Sequence, residues 1–191
     1  NLGNKMNKFT TVDLNEDRVS LINIDKSFIP KDGLNIRNND TPQKQEHRLH
    51  YHKLAVVKEF CRVNKLNQYI YNSDKAKIGI VTTGKSFLDV MQSFDKLGID
   101  KKLSEDFGIR LLKIAMPWPL EPTIIEEFSK GLETIIVVEE KRSLIESQIK
   151  EILFNKLSSV KIIGKQNLDG KVLFASSGAL DPGIIATKLG S

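Results

Sequence analysis

The sequence has few of the residues that form disulfides or hold metal clusters. Cys61 is its one cysteine in 191 residues, so a disulfide within the chain is excluded. An iron–sulfur cluster held by this chain alone is excluded as well, because such clusters need several thiolates. A lone thiol is typical of a reducing compartment, which predicts a cytoplasmic location.

Histidine is also scarce, with 3 residues in one short span. On a helix, His47 and His50 would share one face, while His52 would point elsewhere. No carboxylate-rich segment accompanies them to complete a ligand set. We therefore predict solvent-exposed histidines and no metal site.

Long apolar runs and clusters of basic residues are missing too. No apolar run approaches the ~20 residues that cross a bilayer, which predicts a soluble protein with no membrane contact. The net charge is +5, but basic residues occur at most in pairs, such as Lys101-Lys102. A nucleic-acid surface would need a clustered basic stripe, so we predict no nucleic-acid partner.

Catalytic motifs are absent as well. The sequence contains neither G-x-S-x-G nor H-E-x-x-H. Thiamine diphosphate enzymes carry G-D-G followed, much later in the chain, by paired asparagines. Asp32-Gly33 and Asn38-Asn39 resemble only the two ends of that motif and lie too close together, so we interpret them as turn residues. We predict no catalytic residue in this chain.

The chain is organised around a strand and a helix in residues 77–97. The β-branched residues Ile78, Ile80 and Val81 are typical of a buried strand. A turn is predicted at residues 82–84, followed by a helix that ends at Gly98. Apolar residues recur along this helix at steps of three and four: Phe87, Leu88, Met91, Phe94 and Leu97.

The same segment, at residues 79–86, contains the letters of a P-loop, G-x-x-x-x-G-K-[ST]. In a working P-loop the first glycine ends the strand, and the residues after it curl around phosphate. Here Ile80 and Val81 look like the strand itself, which favours an ordinary strand-to-helix turn. The alternative is a small P-loop NTPase that uses Lys85, Ser86 and Glu139.

Two acidic residues, Glu139 and Glu140, follow a predicted apolar strand. As a Walker-B acid, Glu139 would hold Mg²⁺ and complete the P-loop. Acidic residues at a strand end more commonly cap the next helix or pair with neighbouring cations, here Lys141 and Arg142. We favour this structural interpretation.

Further strands are predicted at residues 110–115, 134–138 and 160–163. Further helices are predicted at residues 121–130, 144–153 and 182–189. Residues 99–108 are predicted to be a charged connector. Such alternation is typical of a mostly parallel sheet covered on both faces. We predict an α/β fold, a three-layer α/β/α sandwich with a sheet of about five strands. Ligand-facing loops then lie along one rim, at the C-terminal ends of the strands: residues 82–86, 116–122 and 139–142.

Residues 1–40 are predicted to be an irregular arm, a linker or tail of a preceding domain, and residues 41–191 the α/β domain. Turn formers are dense from 30 to 42, although residues 19–24 could pair as a short strand. A leading helix is predicted at 42–64, started by Thr41 and Pro42. We expect Cys61 to be one of its interior residues, together with Leu49, Leu54, Val56, Val57, Phe60 and Val63.

Five blocks of the sequence, taken in order, resemble indolepyruvate ferredoxin oxidoreductase, in particular its long, fused bacterial form. The blocks are GLNIRNNDTP (33–42), KIGIVTTGKSFLDV (77–90), MPWPLEP (116–122), VVEEKRSLIESQIKE (137–151) and GKQNLDG (164–170). PWPLEP and VVEEKR at this separation are the most specific of them. The resemblance extends to the end of the terminal helix, near Leu189.

The resemblance implies a transketolase C-terminal-like domain, placed between two thiamine-binding domains of a longer polypeptide. The whole enzyme oxidatively decarboxylates aryl 2-oxoacids such as indolepyruvate on thiamine diphosphate. Electrons pass through iron–sulfur clusters to ferredoxin, and the acyl group passes to coenzyme A. The implied partners are the thiamine-binding domains, a second subunit in a homodimer, and ferredoxin. This domain would scaffold the others, and alone it would be inactive and hold none of these cofactors.

The resemblance also implies a role for the rim near coenzyme A in the assembled enzyme. N–H groups and cations there are suited to a phosphate. The rim residues expected to contribute are Gly84, Lys85, Ser86, Lys141 and Arg142.

Overall fold

The computed structural model describes residues 25–154, 156 and 159–190, so the strand predicted at 19–24 lies outside the described residues. The elements follow one another as α1 (Pro42–Arg48), α2 (Leu54–Val63), β1 (Gln68–Asn72), β2 (Ile78–Thr83), α3 (Gly84–Leu97), α4 (Lys101–Asp106), β3 (Ile109–Ile114), α5 (Pro122–Ser129), β4 (Thr134–Val138), α6 (Ile145–Leu153), β5 (Lys161–Ile163) and α7 (Pro182–Leu189).

In the described part of the arm, residues 25–40, the chain is irregular apart from a 3₁₀ turn at Lys26–Phe28. The side chain of Arg48 fastens this arm to the helix. Its guanidinium donates to the carboxylate of Asp32 at 2.8 Å and to that of Asp40 at 3.3 Å. It also donates to the backbone carbonyl of Gly33. The Arg48 guanidinium holds the pKa of Asp32 well below its usual range.

The leading helix begins where predicted, with the Thr41 hydroxyl accepting from the Lys44 amide. A π-helical turn, Leu49–Lys53, joins α1 to α2. Because a π turn bonds residues five apart, it brings residues i and i+5 onto one side. The rings of His47 and His52 therefore lie 5.6 Å apart, and the prediction that they point in different directions was wrong.

The leading helix is covered less than predicted. Cys61 is buried, as expected, and burial raises the pKa of its thiol. Leu49 and Val63 were expected inside, yet they are 39% and 37% exposed. Cys61 is the one fully buried residue of α2, and part of the apolar face of the leading helix is left uncovered.

The five strands form one sheet in the order β1-β3-β2-β4-β5. The pairs β2–β3, β2–β4 and β4–β5 are parallel, and β1 pairs with β3 in antiparallel orientation. The mostly parallel sheet is confirmed. Strand β1 was missed, although Tyr69-Ile70-Tyr71 is an aromatic and β-branched run of the kind found in strands.

Gly79 lies inside β2, paired with Arg110 on one side and Ile135 on the other. Thr82 and Thr83 continue the strand, so the predicted three-residue turn shrinks to a direct junction at Gly84, whose φ is +51°. Since the first glycine of the motif does not end the strand, no phosphate-binding curl forms. The P-loop alternative is therefore wrong.

Alternate residues of β2 enter two cores, one on each face of the sheet. Val81 packs with Ile125 and Phe128 of α5 and with Ile145 and Ile149 of α6. On the opposite face is a second cluster containing Ile80, Val90, Phe94, Phe174 and Ile185, which brings in α3 and α7. The three-layer α/β/α sandwich is confirmed.

Two details of the layers differ from the predictions. Leu88 was expected on the inner face of α3, but it is 65% exposed. The predicted connector at 99–108 contains α4, whose first turn is capped by the Asp100 carboxylate accepting from the Leu103 amide. A capping aspartate was the available sequence signal for this helix.

Candidate functional site

The three loops predicted to meet at one rim do meet there. Residues of all three line a cleft of about 490 Å³ at the C-terminal edge of the sheet. We call it the rim cleft; its lining includes Gly84, Lys85, Ser86, Pro117, Glu139, Glu140, Lys141 and Arg142. Parallel strands bring their carboxyl ends to one edge, which is why segments far apart in sequence converge.

Glu139 serves the architecture of this edge. Its buried carboxylate accepts hydrogen bonds from the backbone amides of Leu144, Ile145 and Glu146, at 2.9 to 3.1 Å. These amides lie at the N-terminus of α6, so Glu139 caps that helix. Its negative charge also interacts favourably with the partial positive charge at the helix N-terminus. The structural interpretation of Glu139 is confirmed, and both carboxylate oxygens are engaged.

Lys85 is held by three acceptors. Its ammonium group contacts Asp89 at 2.5 Å, Glu140 at 3.1 Å and the carbonyl of Leu180 at 3.1 Å. The hydrogen bond to Asp89, and then that to Glu140, raise the pKa of Lys85. Two carboxylates thus balance the charge of the lysine that a P-loop would direct at phosphate.

Glu140 joins the rim to the segment before α7. It accepts from Lys85 and, at 3.1 Å, from the backbone amide of Leu180. The hydrogen bond from Lys85 lowers the pKa of Glu140. Pairing with Lys141 and Arg142 is the other alternative that the sequence offers for these acids, but the ion pair of Glu140 is made with Lys85.

The first turn of α3 has no side-chain cap. Thr83 stands at the capping position, but its hydroxyl donates to the carbonyl of Ile114 at 2.8 Å. Gly84, Lys85 and Ser86, which open the helix, line the rim cleft. An uncapped helix N-terminus carries N–H groups and a partial positive charge that suit an anion.

The two remaining cations of the rim differ in availability. Lys141, with a left-handed backbone at φ +59°, donates to the carbonyl of Gly178 at 2.6 Å. Arg142 is exposed and has no ion pair among the residues that the structure describes. Arg142 is therefore the guanidinium of the rim cleft that is ready to meet an anion.

The proline-rich wall of the cleft is held by a residue that the sequence did not point to. The Gln148 side-chain amide donates to the Pro117 carbonyl at 2.8 Å and accepts from the Leu120 amide at 2.8 Å. Between these anchors, Trp118 is 54% exposed and is joined to Pro119 by a cis peptide bond. Gln148 lies one helical turn into α6, and nothing in its local sequence indicates that its side chain would hydrogen-bond to the proline-rich loop.

The described part of the chain brings no metal site together: it contains no group of three or more histidine, cysteine or acidic side chains placed to hold an ion. Among the same residues, no helix combines the length and the apolar character that crossing a bilayer requires.

Comparisons with known proteins match the domain over most of its length. The family model described as "Indolepyruvate oxidoreductase domain" matches residues 68–191. The indolepyruvate oxidoreductase subunit IorA of Pyrococcus abyssi is 29% identical over 123 residues, which cover 64% of this chain and 18% of that protein. The IorA subunit of Pyrococcus horikoshii is 32% identical over 97 residues, which cover 51% and 14%. The chain thus spans less than a fifth of the length of these relatives.

Two solved structures are also similar in part. One is a split-gene transketolase, an inactive beta4 tetramer, with a TM-score of 0.43 and 13% identity over 64% of this chain and 40% of that one. The other is 2-oxoglutarate:ferredoxin oxidoreductase from Magnetococcus marinus with 2-oxoglutarate, coenzyme A and succinyl-CoA bound. Its TM-score is 0.44, at 15% identity over 80% of this chain and 24% of that one.

The family match begins at the first residue of β1 and takes in the whole sheet, the capped α6 and the rim cleft. By that match, the chain belongs to the indolepyruvate oxidoreductase domain family.

Proposed function

We propose that this chain is a supporting domain of an indolepyruvate ferredoxin oxidoreductase. The proposed whole enzyme decarboxylates aryl 2-oxoacids oxidatively, passes the acyl group to coenzyme A and gives the electrons to ferredoxin. The observation that carries the proposal is the family match over residues 68–191. The roles of Glu139 and Lys85, which hold the fold together, support a domain without catalytic residues of its own.

The residues of this chain fit neither an iron–sulfur cluster nor thiamine diphosphate, since Asp32-Gly33 and Asn38-Asn39 lie too close together for the thiamine motif. A cluster needs several thiolates, whereas Cys61 is single and buried. We therefore assign thiamine diphosphate and the iron–sulfur clusters to other domains of the same polypeptide. Residues 1–40 would be the arm or linker from a preceding domain, and residues 41–191 the α/β domain that contacts the thiamine-binding domains. A second subunit of a homodimer, ferredoxin and a cytoplasmic location complete the proposal.

We further propose that the rim cleft contacts a phosphate of coenzyme A in that enzyme. The uncapped start of α3, at Gly84, Lys85 and Ser86, offers N–H groups, and Arg142 offers a guanidinium without an ion pair in the described residues. Lys141 lies beside them on the same cleft. Lys85 contributes its backbone here, because its ammonium group is already shared by Asp89 and Glu140.

Steady-state kinetics of the full-length enzyme test both parts. We expect Arg142→Gln to raise the KM for coenzyme A about fivefold, as the loss of one exposed ion pair would, with the KM for indolepyruvate unchanged. Arg37→Gln, the same change at an exposed arginine that lines neither this cleft nor the one between α2 and α5, should leave both values unchanged. Equal effects on both substrates would contradict the phosphate contact. Failure of the full-length protein to oxidise indolepyruvate with ferredoxin would contradict the assigned reaction.

A further inference from the structure

A second cleft, of about 570 Å³, lies away from the rim, between the end of α2, the start of β1 and the start of α5. Its volume is in the range of small-molecule sites. It shares no lining residue with the rim cleft, and the proposed function makes no use of it. We call it the α2–α5 cleft.

Part of the α2–α5 cleft is lined by uncharged side chains with apolar surface. It includes Cys61, Tyr69 and Ile124. Burial raises the pKa of both the Cys61 thiol and the Tyr69 phenol, so both groups are neutral near pH 7. Such a wall favours the apolar body of a ligand and offers a weak thiol donor and a phenol at its edge.

The α5 side of the α2–α5 cleft disfavours an anion. Glu121 is buried there, and its two oxygens accept from the amides of Thr123 at 2.8 Å and Ile124 at 3.0 Å. Glu121 thereby caps α5, and its charge contributes to the raised pKa of Cys61. Glu127 adds a second carboxylate on the α5 side.

The opposite end, at the C-terminus of α2, carries two cations. Arg62 is paired with Glu59 one turn earlier. Lys65 is exposed and has no ion pair in the part of the chain that the structure describes. The ammonium group of Lys65 is therefore the cation of this cleft that can pair with a bound anion.

The left-handed backbone at Lys65 allows its charge to be removed without strain on the fold. Lys65 follows the end of α2 with φ +49°, in the left-handed region that favours glycine. Its amide donates to the Arg62 carbonyl at 3.1 Å, and the next amide donates to the Cys61 carbonyl. Replacing this lysine by glycine removes the cation while relieving the backbone, so the fold should be kept.

We propose that the α2–α5 cleft binds a small apolar carboxylate, with its carboxylate at Lys65 and its apolar body against Cys61, Tyr69 and Ile124. The two ends of the cleft set this orientation, since Glu121 and Glu127 repel the carboxylate from the α5 side. The proposal stands apart from the role of the rim cleft.

The probe is phenylacetate, added to the 191-residue chain and followed by amide NMR, with phenylacetamide as its uncharged counterpart. We expect saturable shifts at Cys61, Tyr69 and Ile124 for phenylacetate, and affinity lower by about threefold to fivefold for phenylacetamide, the range of an exposed ion pair. Absence of saturable shifts at concentrations up to about 10 mM, or equal affinity for the two compounds, would overturn the proposal.

Two variants locate the contact. Lys65→Gly should keep the amide spectrum of the fold and weaken phenylacetate to the level of phenylacetamide. Lys141→Gly is the matched control, because Lys141 also has a left-handed backbone but lies on the rim cleft; its phenylacetate affinity should be unchanged. If Lys65→Gly binds phenylacetate as tightly as the wild type, or if Lys141→Gly loses the same affinity, the carboxylate does not bind at Lys65 and the proposal is wrong.

Discussion

Gly79 in β2 packs directly against Phe128 of α5: a β-carbon on this glycine would lie 2.7 Å from the phenyl ring. The Leu132 side chain would meet the same β-carbon. The first glycine of the P-loop-like motif is therefore needed for close packing of a helix on the sheet, and no phosphate is involved.

This packing predicts the effect of a single methyl group. We expect Gly79→Ala to lower the free energy of unfolding by about 1–3 kcal/mol, the usual cost of overfilling a core, measured by urea denaturation. Phe128→Leu replaces the ring that the added β-carbon would contact. In a double-mutant cycle with this change, the loss of unfolding free energy caused by Gly79→Ala should be smaller by about 1 kcal/mol or more. Additive effects of the two changes would show that the Phe128 ring is not the obstacle, and that glycine is required by the Leu132 side chain instead.

The cap formed by Glu139 predicts a stability effect without a metal effect. Glu139→Gln should lower the free energy of unfolding by about 1–2 kcal/mol, because a charged acceptor of the α6 amides is replaced by a neutral one. Glu133→Gln, in an exposed ion pair with Lys77, is the control and should change stability by less than about 0.5 kcal/mol. A Mg²⁺-dependent rise in the melting temperature, lost in Glu139→Gln, would contradict the capping role.

The ion pair between Lys85 and Glu140 predicts a pH dependence. Because the pKa of Glu140 is lowered in the folded protein, the pair stabilises the fold at neutral pH, and this contribution disappears as the pH falls through the folded pKa. We expect Lys85→Met, which also leaves the buried Asp89 carboxylate without its ion pair, to lose about 1–3 kcal/mol near pH 7. Its melting temperature should show a flatter decline between about pH 5 and pH 3.

Lys77→Met is the control for this profile, since it also removes a lysine from an ion pair with a glutamate, but an exposed one at the other end of β2. Its melting temperature should follow the wild-type pH profile. A decline as steep in Lys85→Met as in the wild type would mean that Glu140 does not depend on Lys85.

The buried Arg48 predicts a local effect on the arm. Arg48→Lys keeps the charge but loses the planar guanidinium that reaches Asp32, Asp40 and the Gly33 carbonyl together. Hydrogen exchange should become several-fold faster for amides in residues 33–40 and stay unchanged in the sheet. Arg37→Met, which removes an exposed partner of Asp32, should alter neither region, and faster exchange in the sheet of Arg48→Lys would mean that the arm is not a separate unit.

Much of the fold follows from local pattern. The run at β4 is apolar throughout, and the structure places the strand at Thr134–Val138 as predicted. Asp181 before Pro182 predicts the start of α7, and its carboxylate does accept from the Gly183 amide. These signals are reliable because capping and β-branched runs act within a few residues of the chain.

The candidate site depended on contacts that no local pattern contains. Lys85 and Leu180 are far apart in sequence and meet only because α3 and the segment before α7 lie on the same face of the sheet. Leu88 satisfies the helical spacing and still faces solvent, since spacing defines a stripe on a helix and the neighbouring elements decide how much of that stripe is covered.

The amino-acid sequence by itself determined the alternation of strands and helices, and with it the sandwich and the single edge where the loops converge. The motif letters at residues 79–86 are compatible with both a P-loop and a strand-to-helix turn, and the position of Gly79 within the sheet distinguishes the two. Hydrogen bonds to β3 and β4 and the ring of Phe128 hold Gly79 in the strand. Only this tertiary packing, which acts between segments remote in sequence, decided that Gly79 and the ammonium group of Lys85 serve the fold.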